Sequence, residues 1–236
     1  MSGAEQNALA IEAKLQRFKD GYLEGLIEAR LAAAEFLPSE LESLEMRHRR
    51  ESKLIEKALT EAYDVLKRGL AVLAEHAPPE TAAVLDKLQA AVARPLDPPP
   101  AADAPDPDAL ATAMPALIET CRALLDDKHL EDAKASASAL CMLYPEVPHP
   151  YVLAGTAIWY VDGLEAALHH YNIVTQNFFE QPMVNYFAAD VYLSAGDRDK
   201  CRALLQSGLE LCDGAGPDAA AYKPEIEAFL AELAER

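Results

Sequence analysis

Apolar side chains recur every three or four residues along most of the chain, which is the spacing of an amphipathic α-helix. Valine, isoleucine and threonine never gather into an alternating run, so the pattern predicts no β-strand. Frequent Ala, Leu and Glu with only 10 Gly also favour helix, because these side chains lose little rotamer freedom there. The expected fold class is all-α.

Two long helices are predicted before residue 76. The first covers residues 4–35, with apolar positions at Leu9, Leu15, Phe18, Tyr22, Leu26 and Ile27. The second begins at Ser39, which forms an S-x-x-E capping box with Glu42, and runs to about Glu75. Together they make a helical hairpin whose apolar stripes must be buried on each other, on the other half of the chain or on another chain.

A proline-rich stretch divides the chain. Pro78-Pro79 ends the second helix and opens a shorter one over about 80–93. Residues 94–108 then contain six prolines, which forbid helix and favour an extended spacer. The predicted organisation is a helical hairpin region over 1–93, a linker over 94–108 and a second domain over 109–236.

The second domain repeats with a period of 34 residues, which is the signature of tetratricopeptide (TPR) repeats. Small residues recur at Cys121, Gly155 and Ala189, and again at Ala133, Ala167 and Cys201. Each unit should be two antiparallel helices, and the small residues allow the two to approach closely. The expected fold is a superhelix of about three units (114–147, 148–181 and 182–215), closed by a capping helix from Pro224 to Ala234.

The first helix of each unit is expected to line a concave groove through its second, fifth, ninth, twelfth and thirteenth positions. The candidate partner-binding residues are Val152, Thr156, Trp159, Tyr160, Met183, Tyr186, Asp190 and Leu193. Aromatic side chains in such a groove are typical anchors for a partner peptide. The alternative is that Trp159 and Tyr160 pack under the N-terminal hairpin or against another copy of the chain.

Charge narrows the choice of partner. The formal net charge is −18, and residues 101–236 hold 22 acidic against 8 basic residues. Such a surface repels phosphate, so neither nucleic acid nor membrane insertion is expected, and a basic or hydrophobic polypeptide is the better partner.

No catalytic or metal-binding pattern stands out. His169 and His170 are adjacent and therefore point about 100° apart on a helix, which is wrong for joint metal binding. The four cysteines form no CxxC pair and are expected to be reduced, structural thiols. No signal peptide or membrane-spanning run is visible. The expectation is a cytoplasmic protein that is not an enzyme and has no cofactor or metal.

The stretch from Ala139 to Cys212 resembles the TPR chaperones of bacterial type III secretion systems that escort translocator subunits. The resemblance lies in three pieces: Ala139–Leu143 with Tyr151–Gly155, Gly163–Tyr171, and Pro182 with Phe187–Asp197. It implies a cytoplasmic chaperone that holds the amphipathic helix of a secretion substrate in its groove and keeps it soluble before export.

Residues 4–75 look like the small hairpin co-chaperone of needle-subunit chaperones in the same machines, with the piece Glu51–Ala58 as the nearest match. The two resemblances leave three alternatives for the cargo, namely a needle subunit, a translocator subunit or another protein, and they imply one chain that combines both chaperone types, naturally or as a fusion. The alternative function is a non-secretory TPR scaffold or adaptor that mediates protein contacts or self-assembly. A homodimer remains open in either case.

Overall fold

The computed structural model describes residues 44–93, 106–212 and 220–235, which form nine α-helices and no strand. The all-α prediction is therefore confirmed for this part of the chain. The predicted helix over 4–35, the capping box of Ser39 with Glu42, and residues 94–105 of the predicted linker lie outside the described residues.

The N-terminal helices end where the sequence indicates. Helix α1 (Leu44–His76) is followed by a 3₁₀ turn (Pro79–Thr81) and by α2 (Ala82–Ala93), close to the predicted bounds. The hydroxyl of Thr81 donates to the carbonyl oxygen of Pro78 at 2.7 Å, which fixes the turn. The side-chain amide of Gln89 donates to the Leu70 carbonyl at 3.2 Å and ties α2 to α1.

Three helix pairs follow with the predicted period. They are α3 (Pro107–Asp126) with α4 (Leu130–Leu143), α5 (Pro148–Asp162) with α6 (Leu164–Asn177), and α7 (Pro182–Ser194) with α8 (Arg198–Cys212). The second helices of the pairs thus start at residues 130, 164 and 198, each 34 residues after the last. This is the arrangement of a TPR superhelix.

The small residues of the repeat lie where the helices of a pair meet. All six of the small residues are buried, namely Cys121, Gly155, Ala189, Ala133, Ala167 and Cys201. A Cβ atom at Gly155 would lie 2.7 Å from ring atoms of Tyr171 and 2.8 Å from the His170 ring. Real Cβ atoms do not approach so closely, so glycine is what lets α5 and α6 pack around this ring.

The first pair begins earlier than the repeat predicts. Helix α3 starts at Pro107, inside the range 94–108 that was predicted as linker. A carboxylate oxygen of Asp106 accepts from the backbone N–H of Asp108 at 3.2 Å, and Pro107 occupies the first helical position. An N-cap followed by proline is a common helix start, and it extends α3 toward α1.

Helix α1 packs on the outer side of α4 and shares a core with the first repeat. Leu70 and Leu73 are buried in the same cluster as Leu117 and Leu140. At the crossing, a Cβ atom on Gly69 would lie 2.5 Å from the Cβ of Ala139 and closer still to the Ala135 carbonyl oxygen. The predicted hairpin region and the first repeat are therefore continuous in their packing.

The last helix, α9 (Lys223–Glu235), packs on α8 as the capping helix predicted from Pro224 to Ala234. Its buried residues Ile226 and Leu233 follow the buried residues Val184 and Val191 of α7 by 42 positions. The guanidinium of Arg198 donates to the Leu233 carbonyl oxygen at 2.7 Å. Helix α9 thus stands where the first helix of a fourth unit would be. None of the described helices has the length and apolar character needed to span a membrane.

Candidate partner-binding groove

The first helices of the three pairs form one wall, because α3 contacts α5 and α5 contacts α7. Ring contacts between Tyr186 and Phe229, 6.0 Å apart, continue the wall to α9. The eight candidate residues predicted from the sequence lie on α5 and α7, in the middle of this wall.

Two of the eight candidates, Val152 and Met183, are buried, with 3% and 6% of their surface exposed. They belong to an apolar cluster with Val174 and Val184, against which Tyr222 also packs. The structure therefore places both side chains in the core between helix pairs, and their part in partner binding stays a prediction.

Trp159 and Tyr160 form the most exposed part of the wall. Their rings stack with centroids 6.4 Å apart and an interplanar angle of 19°. Trp159 is half-buried against the core of the α6–α9 region, whereas Tyr160 is 64% exposed. The ammonium of Lys128 lies 5.8 Å from the centre of the Tyr160 ring, within cation–π range. This pair offers a large, rigid apolar surface at the end of α5.

Thr156 is a small, half-buried residue in the middle of the wall. Its hydroxyl donates to the Val152 carbonyl oxygen of its own helix at 3.0 Å. The same carbonyl accepts the buried hydroxyl of Tyr171 at 3.2 Å. The bond from Tyr171 links the backbone of α5 to α6.

The α7 end of the wall combines aromatic rings with carboxylates. The Tyr186 ring lies 5.3 Å from Phe187 and 6.2 Å from Tyr222, between centroids. Burial raises the pKa of the Tyr186 phenol, and the charges of Asp190, Glu225 and Glu232 raise it further. Loss of hydration also raises the pKa of the Asp190 carboxyl, although its outer end stays exposed. Leu193 is half-buried beside these groups, in the core of the α6–α9 region.

The sequence reasoning did not assign the wall residues of α3 and α9. The ninth position of the repeat is Thr156 in the second unit and Asp190 in the third. In the first unit it is Arg122, whose guanidinium pairs with Glu119 at 3.2 Å. On α9, an offset of 42 residues aligns Glu232 with Asp190. The wall therefore changes from a basic residue on α3 to acidic residues on α7 and α9.

His170, Cys121 and Cys141 are packing residues. The Nε2 atom of His170 is hydrogen-bonded to the Tyr151 carbonyl oxygen at 2.8 Å, and burial lowers the pKa of its ring. Burial raises the pKa of Cys121 to about 11 and that of Cys141 to about 12, so both thiols are protonated at neutral pH. Among the described residues, no group of three or more His, Cys, Asp and Glu side chains is arranged to hold a metal ion.

The helix pairs form a TPR array whose first helices carry aromatic and acidic side chains. No protein-family model matches the chain, and no curated protein matches it. Among solved structures, it is similar to the Yersinia enterocolitica type III secretion translocator chaperone SycD, with 19% identity and a TM-score of 0.44. That match covers 54% of this chain and 85% of SycD.

Two structures of PcrH are also similar to the chain. PcrH from Pseudomonas aeruginosa is 22% identical with a TM-score of 0.46, covering 55% of this chain and 94% of PcrH. PcrH in complex with the chaperone binding region of PopD is 22% identical with a TM-score of 0.45, covering 53% of this chain and 94% of PcrH. The similarity to these secretion chaperones extends over about half of the chain.

Proposed function

We propose that the protein is a cytoplasmic, non-enzymatic chaperone of a type III secretion system. It binds an amphipathic helix of a needle or translocator subunit along the wall formed by α3, α5, α7 and α9 and keeps that subunit soluble before export. The observation that carries the proposal is the stacked pair of Trp159 and Tyr160 at the end of α5, in which Tyr160 is exposed and Trp159 is half-buried.

The chemistry of the wall favours a partner of this kind. A tryptophan anchor that becomes buried on a partner contributes about 2 kcal/mol or more to binding. The charges of Asp190, Glu225 and Glu232 all raise the pKa of the Tyr186 phenol, and these carboxylates attract a partner whose polar face is basic. A helix with apolar and basic faces meets both requirements.

The first test is affinity co-purification of the protein from its native cytoplasm, followed by mass spectrometry. A small helical secretion subunit recovered at a one-to-one ratio is the expected result, and it identifies the cargo. Recovery of the protein alone, as a defined oligomer, contradicts the chaperone proposal.

Substitutions test the surface itself. Tyr160→Ala should weaken binding of the recovered cargo about tenfold, because an exposed anchor ring is lost while the fold is not disturbed. Phe179→Ala is the matched control, since this ring is 62% exposed but lies between α6 and α7, outside the predicted groove positions. Equal cargo affinity in the two variants and the unsubstituted protein, measured by calorimetry, contradicts the groove assignment.

A second candidate function is a self-assembling scaffold. Its specific support is α1, where Leu54 is 53% exposed and Val65 is exposed on the same helix. A scaffold forms a salt-tolerant homo-oligomer on its own, whereas an empty chaperone binds a hydrophobic dye and aggregates readily. Sedimentation of the purified protein at low and high salt distinguishes the two.

A further inference from the structure

Tyr222 lies in the turn directly before α9 and is half-buried. Its carbonyl oxygen accepts the N–H of Ile226 at 3.0 Å, so the residue starts the last helix. Its side chain packs against two clusters, one around α7–α9 and one formed by Val152, Val174, Met183 and Val184. A residue outside the repeat pattern therefore contacts the core of two consecutive units.

The position of Tyr222 coincides with the predicted binding surface. Its ring centroid is 6.2 Å from that of Tyr186, and the cluster that it covers contains Val152 and Met183. All three of these residues occupy groove positions of the repeat. An aromatic side chain of the chain itself thus already occupies the surface on which a partner's anchor would pack.

We propose that Tyr222 is an internal occupant of the groove, which an apolar side chain of the partner displaces when it binds. The inference rests on the proposed function, because it requires that a partner binds this wall. With Tyr222 in place, only the fraction of molecules in which it has moved away can bind, and the apparent affinity is reduced by that fraction.

The test uses the full chain and a synthetic peptide of roughly 14 residues, four helical turns of leucine and lysine with one apolar face. Calorimetry with Tyr222→Ala should give an affinity about three- to tenfold higher than that of the unsubstituted protein. Tyr222→Phe keeps the ring and should change the affinity less than twofold. Tyr192→Ala removes another half-buried tyrosine, outside the groove positions, and should give no increase.

Hydrogen exchange of the unsubstituted protein keeps the proposal testable if Tyr222→Ala does not fold. Saturating peptide should make the backbone amides around Tyr222 exchange faster, because the turn is displaced. Three results overturn the proposal. They are slower or unchanged exchange around Tyr222, an affinity of Tyr222→Ala no higher than that of the unsubstituted protein, or no peptide binding by Tyr222→Ala and the unsubstituted protein. The proposed function fails in a different way, namely when Tyr160→Ala binds the peptide as tightly as the unsubstituted protein.

Discussion

Gly155 is the residue at which the repeat is most tightly packed. It faces the buried ring of Tyr171 and the edge of His170, and a methyl group has no room between them. Alanine favours helix over glycine by about 1 kcal/mol, so a substitution here sets helix propensity against packing. Because Tyr171 is fully buried, its ring cannot move aside, and packing decides the outcome.

We expect Gly155→Ala to lower the free energy of unfolding by about 1–3 kcal/mol, the usual effect of overpacking. The matched control is Gly208→Ala in α8, where the new Cβ would lie 3.2 Å from Cδ1 of Ile226, the end of a flexible side chain. That variant should be neutral or slightly stabilised. Urea unfolding measures both, and equal stability of the two variants contradicts the packing argument.

Tyr171 also links stability to pH. Burial raises the pKa of its phenol well above the ordinary value of 10.0, so the unfolded chain loses this proton first. Its contribution is complete below pH 10 and is lost as the pH rises further, by at most about 1.4 kcal/mol per pH unit. Tyr144, with its pKa raised to about 12, and the thiols of Cys121 and Cys141 act in the same direction.

Tyr171→Phe should therefore make the alkaline loss of stability less steep. At pH 7 the variant should be less stable by about 1 kcal/mol, because the hydrogen bond to the Val152 carbonyl is lost. Denaturant unfolding between pH 8 and pH 12 measures the two slopes. Parallel stability curves for the variant and the unsubstituted protein would show that Tyr171 does not contribute to the pH dependence.

Among the elements, α1 makes a contact with α4 that the sequence pattern does not predict. Its apolar stripe predicts that one face of the helix is buried but does not indicate which element covers it. Glycine within a helix lowers helix propensity, so the sequence alone gives no structural reason for Gly69. In the structure Gly69 is the point of closest approach to α4, against Ala135 and Ala139. Because the backbone of α4 cannot yield as a side chain can, this crossing tolerates no added atom.

Gly69→Ala should destabilise the protein by about 1–3 kcal/mol and loosen α1 from α4. Ala71→Leu enlarges an exposed position two residues away on the same helix and should have little effect. Hydrogen exchange should show faster exchange in α1 and α4 of Gly69→Ala, with α7 and α8 unchanged. Unchanged protection of α1 contradicts the described crossing.

The helix pairs could be predicted because their determinants are local and periodic. The small residues Cys121, Gly155 and Ala189 recur at a fixed spacing, and all of them lie buried between paired helices. The burial of Val152 and Met183 could not be predicted from the repeat, because it results from packing between helix pairs, to which Tyr222 adds from beyond the last complete repeat. Helix α9 follows α7 by 42 positions, eight more than the 34-residue period, so the repeat pattern gives no position for Tyr222.

At the scale of the whole molecule, the array behaves as a row of units that contact only their neighbours. Helix α9 closes one end of this row through Ile226, which is fully buried and packs against Gly208. The other end is closed by α1 and α2, whose leucines complete the core of the first pair. Damage at one end should therefore remain near that end.

Ile226→Asp should detach α9 while α3–α6 remain folded, because a buried unpaired charge costs several kcal/mol. The expected hydrogen-exchange result is a loss of protection in α9 and α8 with normal protection in α4. Ala228→Asp adds the same charge at an exposed position of α9 and is the control. Complete unfolding of Ile226→Asp would show that the array is a single cooperative unit.

The alanines of α4 make the first unit different from the second. One period after Ala135 and Ala139 stand His169 and Ile173, both exposed on α6, where the large side chains would block a helix such as α1. The two units are therefore not interchangeable, and exchanging their order would leave α1 without a surface on which to dock.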